Sequence, residues 1–157
     1  MTAMDTSFWN IAEPGEFTSH LVEYLADRRT TNQQTELGSV LLDVLELHTV
    51  MLMEGFCDIF FQVLTLERCR SVSALLRQMN LLTLAALFDE AFLIYCRGRT
   101  DLTSAEFAAL EPFSLDGEAG RRFDQIGELF DAPDSEIYTK LCFATRAFAV
   151  EHRAELE

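Results

Sequence analysis

The chain has 157 residues, the size of one domain, and 49% hydrophobic with 24% charged residues argues against intrinsic disorder. Seven glycines and three prolines exclude collagen-like and linker-dominated sequences and count against a turn-rich sandwich. Twenty-six acidic and twelve basic residues leave a net charge of −14, which speaks against direct nucleic-acid binding through a basic surface and against docking on an anionic membrane.

Apolar spacing predicts helices almost throughout. Ser7–Ala12 reads as a short helix dropping Phe8, Trp9 and Ile11 onto the core, broken by Pro14-Gly15. Phe17, Leu21, Tyr24 and Leu25 form one stripe of a helix reaching about Arg28, and the run from Thr30 to Thr35 is a polar connection. Leu37, Val40, Leu41, Val44, Leu45 and His48 share a face of a longer helix reaching about Met53. Gly55 then interrupts the chain before the aromatic cluster of Phe56, Phe60 and Phe61, as a residue needing positive φ or a close backbone approach would.

Leu66–Met79 is a helix with Val72, Leu75, Leu76 and Met79 on one face, closed by Asn80 at the C′ position. Leu84, Leu87, Phe88, Ala91 and Tyr95 define the next helix, which Arg97-Gly98-Arg99 ends. Thr103 and Glu106 have capping-box spacing, and Pro112 ends the short helix they open. Phe123, Ile126 and Phe130 mark another stripe, and a last helix from about Asp134-Ser135 turns Ile137, Tyr138, Leu141, Thr145 and Phe148 inward. No fixed-period repeat and no linker stands out. The expected architecture is all-α, a single compact domain of roughly eight helices over residues 1–157.

The opening MTAMDTSFWN has neither a basic nor an apolar signal region, and Leu81–Cys96 is too short and too charged to span a bilayer. Cys57, Cys69, Cys96 and Cys142 lack CxxC spacing and read as reduced, mostly buried thiols of a cytoplasmic protein.

Charge is unevenly spread. Met1–Thr100 carries −6, Asp101–Glu136 carries −8 in a much shorter stretch, and Ile137–Glu157 is balanced. At 100° per residue Asp124, Glu128 and Asp131 fall on one helix face, opposite the Phe123/Ile126/Phe130 stripe. Asp134 and Glu136 sit where a helix N-terminus favours anions. With Asp116 and Glu118 these residues form a candidate partner-binding acidic face. A solvated face that keeps the protein soluble is the plainer reading, and a docking surface for a basic partner the sharper one.

Catalytic and metal signals are thin. His20, His48 and His152 have no mutual metal-ligand spacing, and Glu16-His20-Glu23, though on one helix face, needs ligands from elsewhere to complete a site. Glu46 and His48 are two apart and diverge, so they are not the Glu-x-x-His of di-metal bundles. There is no dinucleotide or phosphate-binding glycine loop and no nucleophile elbow, and the only lysine is Lys140. No catalytic residue, metal or cofactor is expected. Phe56, Phe60 and Phe61 read as core ahead of a ligand pocket.

The stretch from Glu46 to Phe61 resembles the signature of the DMP-nineteen-like DNA-mimic family, in which a glutamate on one helix precedes an Asn-Gly-Gly-Phe turn, two residues and an aromatic pair. Glu46, Gly55, Phe56, Phe60 and Phe61 follow that pattern with three residues rather than two between Phe56 and Phe60, while Met53-Glu54 stands where the family has Asn-Gly. Leu75–Tyr95 resembles the next two helices of the family, and the stretch from Phe130 to His152 its closing segment. The motif is a helix-junction device, a structural signature. The resemblance implies an all-helical acidic dimer that shows carboxylates, as DNA shows phosphates, to a basic nucleic-acid-binding protein. Duplex DNA carries one charge per about 1.7 Å, so 14 net charges match at most about 24 Å of duplex. A single copy therefore imitates less than one helical turn, and the reading calls for a homodimer. The alternatives are an immunity or antitoxin protein neutralising a basic toxin, with an apolar anchor added to the charge, and a small helical enzyme around Glu46, His48 and the phenylalanines.

Overall fold

A computed structural model describes residues 6–53, 60, 63–111, 117–131 and 136–157, without the side chains of 48–53 and 130–131. The described residues form eight α-helices after a one-turn 3-10 helix, Ser7–Asn10, and contain no strand. They are α1 (Pro14–Thr30), α2 (Glu36–Met53), α3 (Leu66–Gln78), α4 (Leu82–Tyr95), α5 (Ser104–Ala108), α6 (Gly117–Asp131), α7 (Glu136–Glu151) and α8 (Arg153–Leu156). The all-α class is therefore the observed one.

The helix α2 is the axis of the fold. It packs against α1, α3, α6 and α8. Its Val40, Leu41, Leu42, Asp43, Val44, Leu45 and Leu47 are all buried, so the helix is covered on nearly every side rather than along the single stripe expected. A helix apolar all round belongs at the centre of a core, and the run Val40-Leu41-Leu42 is that signal. Around it, α3 packs on α4 and α5, α4 on α6, and α1 on α7.

Helix ends follow local chemistry. The expected short helix over Ser7–Ala12 is only the 3-10 turn, burying Phe8 and Trp9, with Ile11 extended at its end. Pro14-Gly15 does not break structure but starts α1. Pro14 occupies the first turn, where it has no N–H to leave unsatisfied, and the Glu13 carboxylate accepts from the N–H groups of Gly15 and Glu16 at 2.9 and 2.5 Å. These bonds, the one from Glu16 first, hold the Glu13 carboxyl below its ordinary value.

Asn80 has φ +59°, as a C′ residue should, and α3 closes with Asn80 N–H on Arg77 O at 3.0 Å and Leu81 N–H on Leu76 O at 2.9 Å. Arg97 and Gly98 close α4 in the same way, with Gly98 N–H on Leu93 O at 2.9 Å. So does Asn32 after α1, a stop signal hidden in its polar run. The capping box at Thr103 and Glu106 forms as its spacing predicts. The stretch from Ile137 to Phe148 turns Leu141, Thr145 and Phe148 inward, but Tyr138 is 39% exposed because it lies in the first turn of α7, at the edge of the bundle. The helix α8, which buries Leu156 completely, has too few residues to show a periodicity and was not expected. Gly55, Phe56, Cys57, Phe61 and Pro112, and the side chain of His48, lie outside the described residues.

Candidate interaction surface

The amphipathic helix α6 carries the densest acid. Phe123 and Ile126 are buried, and Arg122 forms a bidentate pair with Glu90 of α4 at 2.6 and 2.9 Å, pinning the helix from its flank. That guanidinium holds the Glu90 carboxyl below its ordinary value. The opposite side of the helix presents Glu118, Asp124 and Glu128 to solvent, and among the described residues no ion pair joins any of them. Asp124 and Glu128 are one turn apart, as expected, with a rise of about 6 Å between them.

Two features of this face are absent from the sequence reading. Arg121 is exposed on the same side, so three carboxylates share the surface with one guanidinium. At the border of this face Leu129 is 47% exposed, on the flank that carries Arg122 and about 140° round the helix from Asp124. The remaining expected residues divide. Glu136 is exposed at the start of α7 and paired with Lys140 at 2.9 Å, and that ammonium lowers its pKa. Asp116, Asp134 and the side chain of Asp131 lie outside the described residues.

Other acids of the Asp101–Glu136 segment serve local structure. Glu106 accepts from the Thr103 N–H at 2.8 Å, which with the Thr103 hydroxyl holds its pKa down, and it meets Arg99 at 3.3 Å. Asp101 meets the same Arg99 at 3.2 Å.

A second acidic stripe lies on α1. Glu16, His20, Glu23 and Asp27 are exposed at i, i+4, i+7 and i+11, with His20 3.9 Å from Glu23. Beside it a cavity of about 330 Å³ is lined by Phe8, Ile11, His20, Glu23, Tyr24 and Asp27. The helical spacing of Glu16, His20 and Glu23 is legible in the sequence as a shared helix face. Among the described residues no cluster of His, Cys, Asp or Glu can hold a metal ion.

Of the signature residues, Phe60 and Glu46 lie among the described ones, and both occupy structural places. Phe60 is 2% exposed, with its ring 5.2 Å from Tyr95, 5.5 Å from Phe88 and 5.9 Å from Phe123, and so ties together α4 and α6. Glu46 is half-buried and meets Arg29 at 3.3 Å. It borders a network centred on Asp43, which sequence patterning did not single out. Asp43 is 5% exposed and accepts from Arg29 of α1 at 3.1 Å and from Arg68 Nε of α3 at 2.6 Å. Arg68 also donates to the backbone oxygen and hydroxyl of Ser39 at 2.9 and 2.7 Å. One carboxylate thus joins three helices. An acid inside the apolar run of α2 was the available sign, since a buried carboxylate requires a cation.

The Cys69, Cys96 and Cys142 thiols are free and buried, as expected. Burial raises the pKa of both Cys69 and Cys96, so neither is a thiolate nucleophile at neutral pH. Among the described residues no helix is long and apolar enough to cross a membrane. The chain matches no known protein family, no curated protein and no solved structure.

Proposed function

We propose that this chain is a non-enzymatic, cytoplasmic acidic protein that binds a basic nucleic-acid-binding protein and blocks its DNA site, in the manner of a DNA mimic. The observation that carries this reading is the outer side of α6, where Glu118, Asp124 and Glu128 stand exposed without a partner cation among the described residues while the inner side is anchored in the core. Carboxylates without partner cations on a fixed helix repel one another, at a cost of a few tenths of a kcal/mol per i, i+4 pair. A cationic partner converts that repulsion into attraction and speeds encounter. The sequence pattern of Gly55, Phe56, Phe60 and Phe61 carries the family resemblance, and the short reach of one copy's charge calls for a homodimer.

Affinity capture from host lysate at about 50 mM and about 300 mM salt tests the proposal, with duplex DNA as competitor. A basic DNA-binding protein held only at the lower salt and displaced by DNA supports mimicry. Replacing Glu118 and Glu128 by Gln and Asp124 by Asn should weaken that binding and flatten its salt dependence. Unchanged affinity would sink the α6 face.

A second reading is favoured by Leu129. An exposed apolar side chain bordering the acidic face suits an immunity or antitoxin interface, which keeps a salt-independent part. A single partner retained at both salts, and lost on Leu129→Ser, would establish it over mimicry.

A further inference from the structure

Beside the short helix α5 a cavity of about 240 Å³ opens between that helix, the start of α3 and the residues Val63 and Leu64. Its inner wall is made of three aromatic rings, Phe60, Tyr95 and Phe107, each at most 4% exposed. Phe60 stacks on Tyr95 at 5.2 Å and Tyr95 meets Phe107 at 5.6 Å, so contacts among the rings hold the wall in place. Protein interiors are close-packed, and rings that border a space of this size forgo dispersion contacts on that side. The side chains that α5 adds to the lining beyond Phe107 are Ser104 and Ala108, one helical turn apart and too small to fill it. Val63, also in the lining, is 39% exposed and continues the apolar surface toward solvent.

The polar groups of the cavity gather at one carboxylate. The Ser104 hydroxyl donates to Glu67 across the gap between α5 and α3. That bond first, then Glu67's own N–H and the Thr65 hydroxyl, hold the Glu67 carboxyl below its ordinary value. All three donors are neutral, the field of Arg70 contributes least, and among the described residues no ion pair joins Glu67. An ionised carboxylate has about four acceptor positions, so this one keeps its charge and room for a further donor. We propose that the cavity is a binding site for a small arylalkylamine, with its ring against Phe60, Tyr95 and Phe107 and its ammonium on the Glu67 carboxylate and the Ser104 oxygen. Size, lining and charge each restrict the ligand. An apolar cavity of about 150 Å³ already takes benzene, so the larger space here admits one ring with a short arm and excludes a nucleotide. The carboxylate at the polar side repels an acid of the same shape.

Titration calorimetry and thermal unfolding of the full chain with 2-phenylethylamine test this without any protein partner, and so separately from the acidic face. The amine should bind one to one and raise Tm with its concentration. Two probes separate the parts of the site: 3-phenylpropanoate, with the same ring and the opposite charge, and n-propylamine, with the charge and no ring. Each should bind at least about tenfold more weakly. Glu67→Gln should weaken binding of 2-phenylethylamine about tenfold with helicity unchanged. Ala108→Leu puts a larger apolar side chain into the space, and should abolish binding while the free chain keeps a Tm at or above that of the wild type. A wild type that neither binds the amine nor gains Tm overturns the proposal. Equal binding of the acid and the amine overturns it as well, as does amine binding that survives Ala108→Leu.

Discussion

Asp43 and the α6 carboxylates are the same chemical group in opposite circumstances. Asp43 is 5% exposed and held by two guanidinium groups from two other helices, whereas Glu118, Asp124 and Glu128 face water with no ion pair among the described residues. A carboxylate in the interior is tolerable only when its charge is answered, and once answered it fixes the helices that supply the cations. A carboxylate at the surface costs little, fixes nothing, and leaves its field available to another molecule. Acid on α2 is therefore read as architecture, and acid on α6 as surface.

Four substitutions or conditions would break or sharpen that contrast in stability. The largest effect is expected from Asp43→Ala, which leaves Arg68 without an anion and Arg29 with Glu46 alone, and should cost about 3 kcal/mol in denaturant unfolding. A loss below about 1 kcal/mol would place Asp43 with the surface acids. Next comes Thr103→Ala, which removes the cap of α5 and should cost about 1 kcal/mol by the same measurement.

Acid should separate the paired from the unpaired carboxylates. Glu90, held below its ordinary pKa by Arg122, contributes stability that is complete above the ordinary glutamate value and is lost as pH falls through its lower folded value. The difference in melting temperature between wild type and Glu90→Gln should be present at neutral pH and close below about pH 4. A difference that persists at lower pH would show that charge is not its source. The smallest stability effect belongs to Glu118→Gln with Asp124→Asn and Glu128→Gln, expected within about 0.5 kcal/mol of wild type and on the stabilising side through relieved repulsion. A marked destabilisation there would make α6's acids structural after all.

Much of the fold was written in local patterns. The apolar stripes of α1, α3, α4 and α6, the Asn80 and Arg97-Gly98 stops and the Thr103/Glu106 cap depend on residues a few positions apart, and each appears where its spacing placed it. The exposure of Asp124 and Glu128 opposite Phe123 and Ile126 was likewise a matter of angle on one helix. What escaped was mainly whatever joins distant segments, together with one local signal. Pro14-Gly15 has the composition of a break, yet with Glu13 ahead of it the pair opens a helix, and the deciding bonds are those of a carboxylate that sequence patterning treats as a surface charge.

By itself the sequence determined an all-α chain, the helix faces, most of the stops and the concentration of negative charge between Asp101 and Glu136, because helix periodicity and capping act within a few residues. Tertiary structure alone decided that α2 is buried nearly all round, that Asp43 binds Arg29 and Arg68, and that Arg122 goes to Glu90. It alone left Phe143 and Val150 uncovered on α7. The physical reason is common to all of these: a side chain's partner is set by which helices meet, and residues 25 or 32 positions apart carry no local mark of their meeting.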